Sequence, residues 1–208
     1  VDCGGSCAYL CAVSQQPPTV LFTKAFQNSG GRTDIVASIE NKNANAAAKD
    51  VPYTITLYGS GQSFIQEVSG TVDLVPGLVT PIYVSGIASG KQTVTRAFLA
   101  IDPLAPRWFA MTADERRVPT VSTTKFSGVV SSPRIEAVVV NPTMNAFMNV
   151  RVIILVHGPK KDVIAASGTI LPTIPAQGQA TAIFTWNNAF SSSPTAIEVV
   201  PIIPLPDR

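Results

Sequence analysis

Three cysteines, Cys3, Cys7 and Cys11, stand four residues apart at the start of a 208-residue chain that has no others. Thiols this close can hold a metal, supply a nucleophile or form disulfides. As ligands they need a fourth partner, and Cys-x3-Cys-x3-Cys matches neither the paired Cys-x2-Cys of zinc ribbons nor the common iron–sulfur spacings. As a catalytic thiol, one of them needs a histidine, and the single histidine, His157, lies 146 positions beyond Cys11. Disulfides are therefore the leading expectation and suit a secreted chain, with metal ligation and free thiols as the alternatives. An odd count then calls for a fourth cysteine upstream of Val1 or on another molecule.

The remaining candidates for chemistry read as structure. His157 precedes Gly158-Pro159, which is turn chemistry, and it aligns with Tyr58 in the internal repeat described below. It is expected to be structural rather than a general base or ligand. The chain has no Gly-x-Ser-x-Gly elbow, phosphate loop or His-Glu-x-x-His. Asp34, Glu40, Glu136 and Asp162 follow no repeated spacing of the kind that would pair glycosidase carboxylates. "NKNAN" and "NPTMN" offer only neutral side chains to a calcium ion. They are expected to be turns in which Asn accepts unusual backbone angles. No catalytic, cofactor-binding or metal-binding residue is assigned, and the expectation is a protein that is not an enzyme.

Composition narrows the setting. Lys and Arg number 15 against 13 Asp and Glu, a net charge of +2, and the charges are scattered, so no basic face points to nucleic acid. Only 13% of residues are charged, about half the share in an average soluble domain. With 17 prolines, that balance suits extracellular β proteins and subunits that cover one another. The longest strongly apolar stretch, Val150 to Val156, falls well short of the roughly 20 residues of a membrane helix, so no membrane span is expected. No initiating Met or secretion signal precedes Val1, so the chain reads as a mature or trimmed product.

An offset of about 100 residues aligns most of the chain with itself. Thr19-Val20 through Thr23-Lys24 matches Thr120-Val121 through Thr124-Lys125; Asn41, Asn45 and Ala46 match Asn141, Asn145 and Ala146. "VPYTITLYG" from Val51 matches "VRVIILVHG" from Val150, Ser69-Gly70-Thr71 matches Ser167-Gly168-Thr169, and Val75-Pro76 matches Ile174-Pro175. The blocks keep their order, so the chain carries two copies of one domain.

Each copy reads as strands. Val51, Tyr53, Ile55 and Leu57 alternate along one face, a period a helix cannot bury on one side. Val150 to Val156 is apolar at nearly every position, as a central strand covered on both faces would be. "GSGQ" and "GPKKD" turn these strands into hairpins. About seven short strands per copy predict an all-β protein of two tandem immunoglobulin-like antiparallel sandwiches. The predicted divisions are a Cys-rich segment (1–18), a first sandwich (19–102), a connector (103–119) and a second sandwich (120–208). In the connector, "TADE" from Thr112 has the form of a capping box for one helical turn. Trp108 and Phe109, also in the connector, are expected to pack between the copies.

"VDCGGSC" with Cys11 resembles the second half of a short cysteine-rich motif of secreted and surface proteins. The repeats resemble the FxLYD group of small immunoglobulin-like domains of bacterial envelope proteins, most closely at "ITLYG" from Ile55 to Gly59. The resemblance implies an extracellular or cell-surface setting and no catalytic residues. The expected function is a non-enzymatic structural or adhesive surface protein that self-associates, as a filament or array, through sheet edges or terminal segments. The alternative is an envelope module binding a peptide or apolar ligand.

Overall fold

The computed structural model of the chain describes residues 9–11, 14–28, 31–88, 92–112 and 116–207. It is an all-β, sandwich-type protein with thirteen strands among the described residues and a turn of 3-10 helix at Ser60–Gln62. The first seven are β1 (Thr19–Gln27), β2 (Arg32–Glu40), β3 (Ala46–Tyr58), β4 (Phe64–Leu74), β5 (Val79–Ala88), β6 (Arg96–Ala100) and β7 (Trp108–Ala110). The next six are β8 (Thr120–Val129), β9 (Ser132–Val140), β10 (Phe147–His157), β11 (Val163–Ile174), β12 (Gln179–Thr185) and β13 (Ala196–Ile202). Among the described residues no helix is long and apolar enough to cross a membrane.

The repeat reappears in the connectivity. β1-β2-β5 form one sheet and β4-β3-β6 another, with β7 beside β3; β8-β9-β12 and β11-β10-β13 repeat the same order without a seventh strand. By its contacts the chain divides into two compact units. The first comprises residues up to Ala25, Ile35–Arg116 and the segment from Pro204; the second comprises Phe26–Asp34 and Arg117–Ile203. The first unit thus holds β7, which the sequence assigned to a connector, and a segment of chain beyond β13. A cut before Trp108 would strip β7 from the first core.

The period-2 pattern decides which residues face inward. Ile35, Ala37 and Ile39 of β2 face Tyr53, Ile55 and Leu57 of β3 across the first core, together with Leu74 and Trp108. Ile135, Ala137 and Val139 of β9 meet Val152, Ile154 and Val156 of β10 in the second, with Phe184. Ile153 and Leu155 of β10 are buried too, so this central strand is covered on both faces, as its continuous apolar run predicts. Interdigitation is close enough to fix particular residues. Tyr53 lies opposite Gly70, and a Cβ at Gly70 would stand 2.4 Å from the tyrosine oxygen. In the second copy Gly168 faces Ile153 instead, so the Ser-Gly-Thr match in the sequence is one residue out of step with the pairing.

Two repeated polar nodes set the corners. Asn41 and Asn141 are each 1% exposed. Both stand where the chain leaves one sheet for the other, and both reach the second crossing, from β4 to β5 or from β11 to β12. The Asn41 side-chain amide donates to the carbonyls of Ala46 (2.8 Å), Leu74 (3.3 Å) and Val75 (3.2 Å). That of Asn141 donates to those of Asn145 (2.8 Å), Ile174 (3.3 Å) and Pro175 (2.9 Å). Each side-chain oxygen accepts the backbone N–H two residues on, from Asn43 (3.0 Å) or Thr143 (2.9 Å). Corner groups lie outside the ladders, and a buried amide can satisfy donors and acceptors together. The left-handed angles expected of the Asn-rich turns occur elsewhere. Two fall at Asp50 (φ 52°) and Asn149 (φ 51°), equivalent positions within β3 and β10 and residue types that tolerate that conformation, and others at Gln62, Lys161 and Gln177.

At the opposite end, Thr95 and Thr195 repeat a second node. The Thr95 hydroxyl donates to the Gly59 carbonyl and that of Thr195 to the Gly158 carbonyl, both at 2.8 Å. Each threonine N–H donates to the preceding carbonyl, of Tyr58 or His157, also at 2.8 Å. The hairpin turns themselves close through Gly59 N–H to Ser63 and Gly158 N–H to Asp162.

Replacing Asn41 or Asn141 by Ala is expected to lower unfolding free energy by about 3 kcal/mol, since several buried backbone groups lose their partner. Urea titration measures it; a loss no larger than that of exposed Asn145→Ala would contradict the role assigned to the node. Gly70→Ala is expected to cost about 1–3 kcal/mol by overpacking. Combining it with Tyr53→Leu should recover part of that loss in a double-mutant cycle.

Candidate functional site

Cys11 is a half-buried free thiol in the structure, with no disulfide partner among the described residues; Cys3 and Cys7 lie outside them. The expected helical turn from Thr112 falls largely on residues 113–115, also outside. His157 closes β10, its Nε2 lying 3.4 Å from a Glu198 carboxylate oxygen on β13. Its carbonyl receives Thr195, so the one histidine sits within the turn architecture. Among the described residues no three of His, Cys, Asp and Glu are grouped to hold a metal ion.

Trp108 and Phe109, expected between the copies, are strand residues inside the first unit. β7 pairs with the start of β3, Trp108 opposite Ala48 and Phe109 opposite Ala47. Alternation sends Trp108 into the sandwich core and Phe109 into a smaller cluster on the other side. The described residues before β1 lie on the same unit. Leu10 packs against the core and donates its N–H to the Trp108 carbonyl at 2.7 Å. Arg107 stacks its guanidinium 5.4 Å from the Tyr9 ring centroid. Gln16 and Asn43 exchange two hydrogen bonds of 2.8 Å.

The cluster around Phe109 brings apolar and charged groups to one short segment. Ala47, Val75, Phe109 and Met111 form an apolar seat for Leu205, which is 2% exposed. Polar groups frame the seat. The Leu205 N–H donates to Asp73 Oδ2 at 2.6 Å. The other Asp73 oxygen accepts the N–H of left-handed Asp50 at 2.9 Å, so one carboxylate joins the β3 irregularity to the incoming segment. Arg116 Nη2 donates to the Pro204 carbonyl at 3.4 Å. Burial lowers the Arg116 pKa, against the opposing pull of the Asp73 charge. At the surface, Lys49 donates a hydrogen bond to Asp207. That bond raises the lysine above its usual value and holds the carboxyl below its own.

None of Leu205, Asp73, Lys49 and Arg116 stands out by type or motif. For Lys49 and Asp73 the signal is departure from the repeat. Lys49-Asp50 corresponds to Met148-Asn149, and opposite Met148 stands Thr173, whose hydroxyl lies 3.4 Å from the Met148 sulfur. The second copy lacks the charges that frame the seat.

The second unit holds a shallow apolar cleft of about 340 Å³ lined by Phe126, Pro194, Thr195, Ala196 and Ile197. Phe190 links the cleft to the unit's aromatics, its ring centroid 6.2 Å from Phe126 and 5.0 Å from Trp186. The chain matches no protein-family model and no curated protein.

Leu205→Ala is expected to cost about 2–4 kcal/mol, as for other fully buried leucines. Asp207→Asn should cost far less, because the Lys49–Asp207 pair is exposed. Its sign with pH follows from the shifts. A depressed carboxyl contributes stability above its ordinary 3.8, and the contribution disappears as pH falls through the lowered value. A raised lysine contributes below its ordinary 10.5, until pH rises through the raised value. Thermal melts of wild type and Asp207→Asn should therefore differ at neutral pH and converge in strong acid.

Proposed function

We propose that the chain is a non-enzymatic structural or adhesive protein of an extracellular or cell-surface setting, built on two immunoglobulin-like sandwiches and assembling with copies of itself through sheet edges. The observation that carries this reading is β11. It is an edge strand, paired with β10 alone in the order β11-β10-β13, and its twelve residues include no charge. Ile170 stands 61% exposed on it. An edge of this length usually carries lysines, inward-pointing charges or bulges that prevent pairing with another chain; β11 has one proline, Pro172, and a shift of register at its start, where Ile164 is extra opposite Val156 and His157. β12, the edge of the other sheet, is also uncharged, with Ile183 exposed. Low overall charge and the likeness of "ITLYG" to envelope domains support the same setting. The histidine and the Asn clusters, the residues most open to a chemical reading, are engaged in turns and corners.

The apolar cleft at Phe126 favours a second reading, a module for a small apolar or peptide ligand. An environment-sensitive apolar dye should report it, with emission that is lost in Phe126→Ala.

Native mass measured over a wide concentration range tests the main reading. Wild type is expected to form higher-order species, and Ile170→Lys with Ile183→Lys should raise the concentration required at least about tenfold while leaving the circular dichroism unchanged. A wild type that stays monomeric at the highest concentration would overturn it.

A further inference from the structure

We propose that the corner of the first unit formed by Ala47, Val75, Phe109 and Met111 is an acceptor for an extended Pro-Leu-Pro-Asp segment, and that in the assembly a second copy of this chain supplies that segment in exchange for the chain's own. The exchange rests on the self-assembling reading above; the acceptor does not.

The corner reads four successive features of Pro204–Asp207. Arg116 takes the Pro204 carbonyl, Asp73 takes the Leu205 N–H, the apolar seat takes the Leu205 side chain, and Lys49 takes the Asp207 carboxylate. Pro204 and Pro206 have no N–H, so Leu205 carries the one backbone donor in this tripeptide, and the corner places a carboxylate opposite it. Recognition of this kind follows an extended peptide and does not depend on which molecule the peptide comes from.

Three further features make the segment exchangeable. It lies beyond β13, whose pairing with β10 ends at Ile202, so withdrawing it breaks no ladder bond. Pro201, Pro204 and Pro206 fix three φ angles, which reduces the freedom lost on docking in either molecule. It is also short, so nothing must thread through a loop. Exchange of an identical element between copies is an inexpensive route to association. The framing charges Lys49 and Asp73 have no counterparts at Met148 and Thr173, so one acceptor is present per chain and each donor has one destination.

The test uses full-length Leu205→Asp, which keeps every strand but cannot fill its own seat, and a fluorescein-labelled, C-terminally amidated peptide of the sequence from Pro201 to Asp207. With circular dichroism unchanged, the variant should bind the peptide. Binding should weaken at least about tenfold when the peptide's leucine is replaced by aspartate, or when the protein also carries Asp73→Asn. Wild type should bind it more weakly than the variant, because its own segment competes. If Leu205→Asp does not fold, Leu205→Ala takes its place. Absence of binding to a folded variant of either kind overturns the acceptor. Exchange between copies is read separately, by co-purification of two differently tagged wild-type chains after incubation at high concentration. Tags that co-purify in wild type and not in the leucine variant support the exchange. Tags that co-purify equally in both leave the assembly reading standing and overturn the exchange. Tags that never co-purify overturn the exchange even if the peptide binds; the native-mass measurement then decides the assembly reading independently.

Discussion

A sandwich must carry its chain from one sheet to the other, and the backbone groups at those crossings have no ladder to join. In both units one buried asparagine resolves this. Asn41 and Asn141 each bind the two crossings of their unit at once, holding carbonyls from both and receiving an N–H in return. The side-chain period along a strand is two, so a slip of one residue at a corner would turn Ile35, Ala37 and Ile39 outward. Fixing the corner thus fixes which face of β2 and β9 meets the core. Thr95 and Thr195 hold the far hairpin to the last strand of each sheet, so both ends of the sandwich are closed by polar contacts and the middle by apolar packing.

Against this shared scaffold the differences between the copies are informative. A residue that sustains the fold should recur at its equivalent position, and the asparagines and threonines do. Lys49 and Asp73 do not recur, although Asp50 and Asn149 share a left-handed backbone. The first unit has charge at this geometry, Asp73 against Leu205 and Lys49 against Asp207. The second has Met148 and Thr173 there, and leaves Met148 exposed.

Much of the fold was legible because it rests on local pattern. Alternation in Val51 to Leu57, the Gly-containing turns at Gly59 and Gly158 and the unbroken apolar run of β10 each carry their own signal. β7 was not legible, since three residues beside Pro103 and Pro106 are too few for a period to show, and its partner lies some 60 positions earlier at Ala46 to Ala48. The asparagines read as turn formers, because an Asn-rich stretch has the same composition whether its amides bend the backbone or bind it. Leu205 was least legible of all. A leucine between prolines suggests an extended arm, and only the folded positions of Asp73, Phe109 and Met111 give it a destination.

β7 also has a mechanical consequence. The carbonyl of Trp108 receives Leu10, and the ring of its neighbour Phe109 lies in the cluster that seats Leu205. Tension applied at Leu10 and Leu205 would therefore load β7 from both sides, through the Trp108 carbonyl and through the Phe109 cluster, while part of the pull on Leu205 passes to β4 through Asp73. The three-residue pairing of β7 with β3 would share that load, and weakening it would make both segments easier to pull away from the first unit.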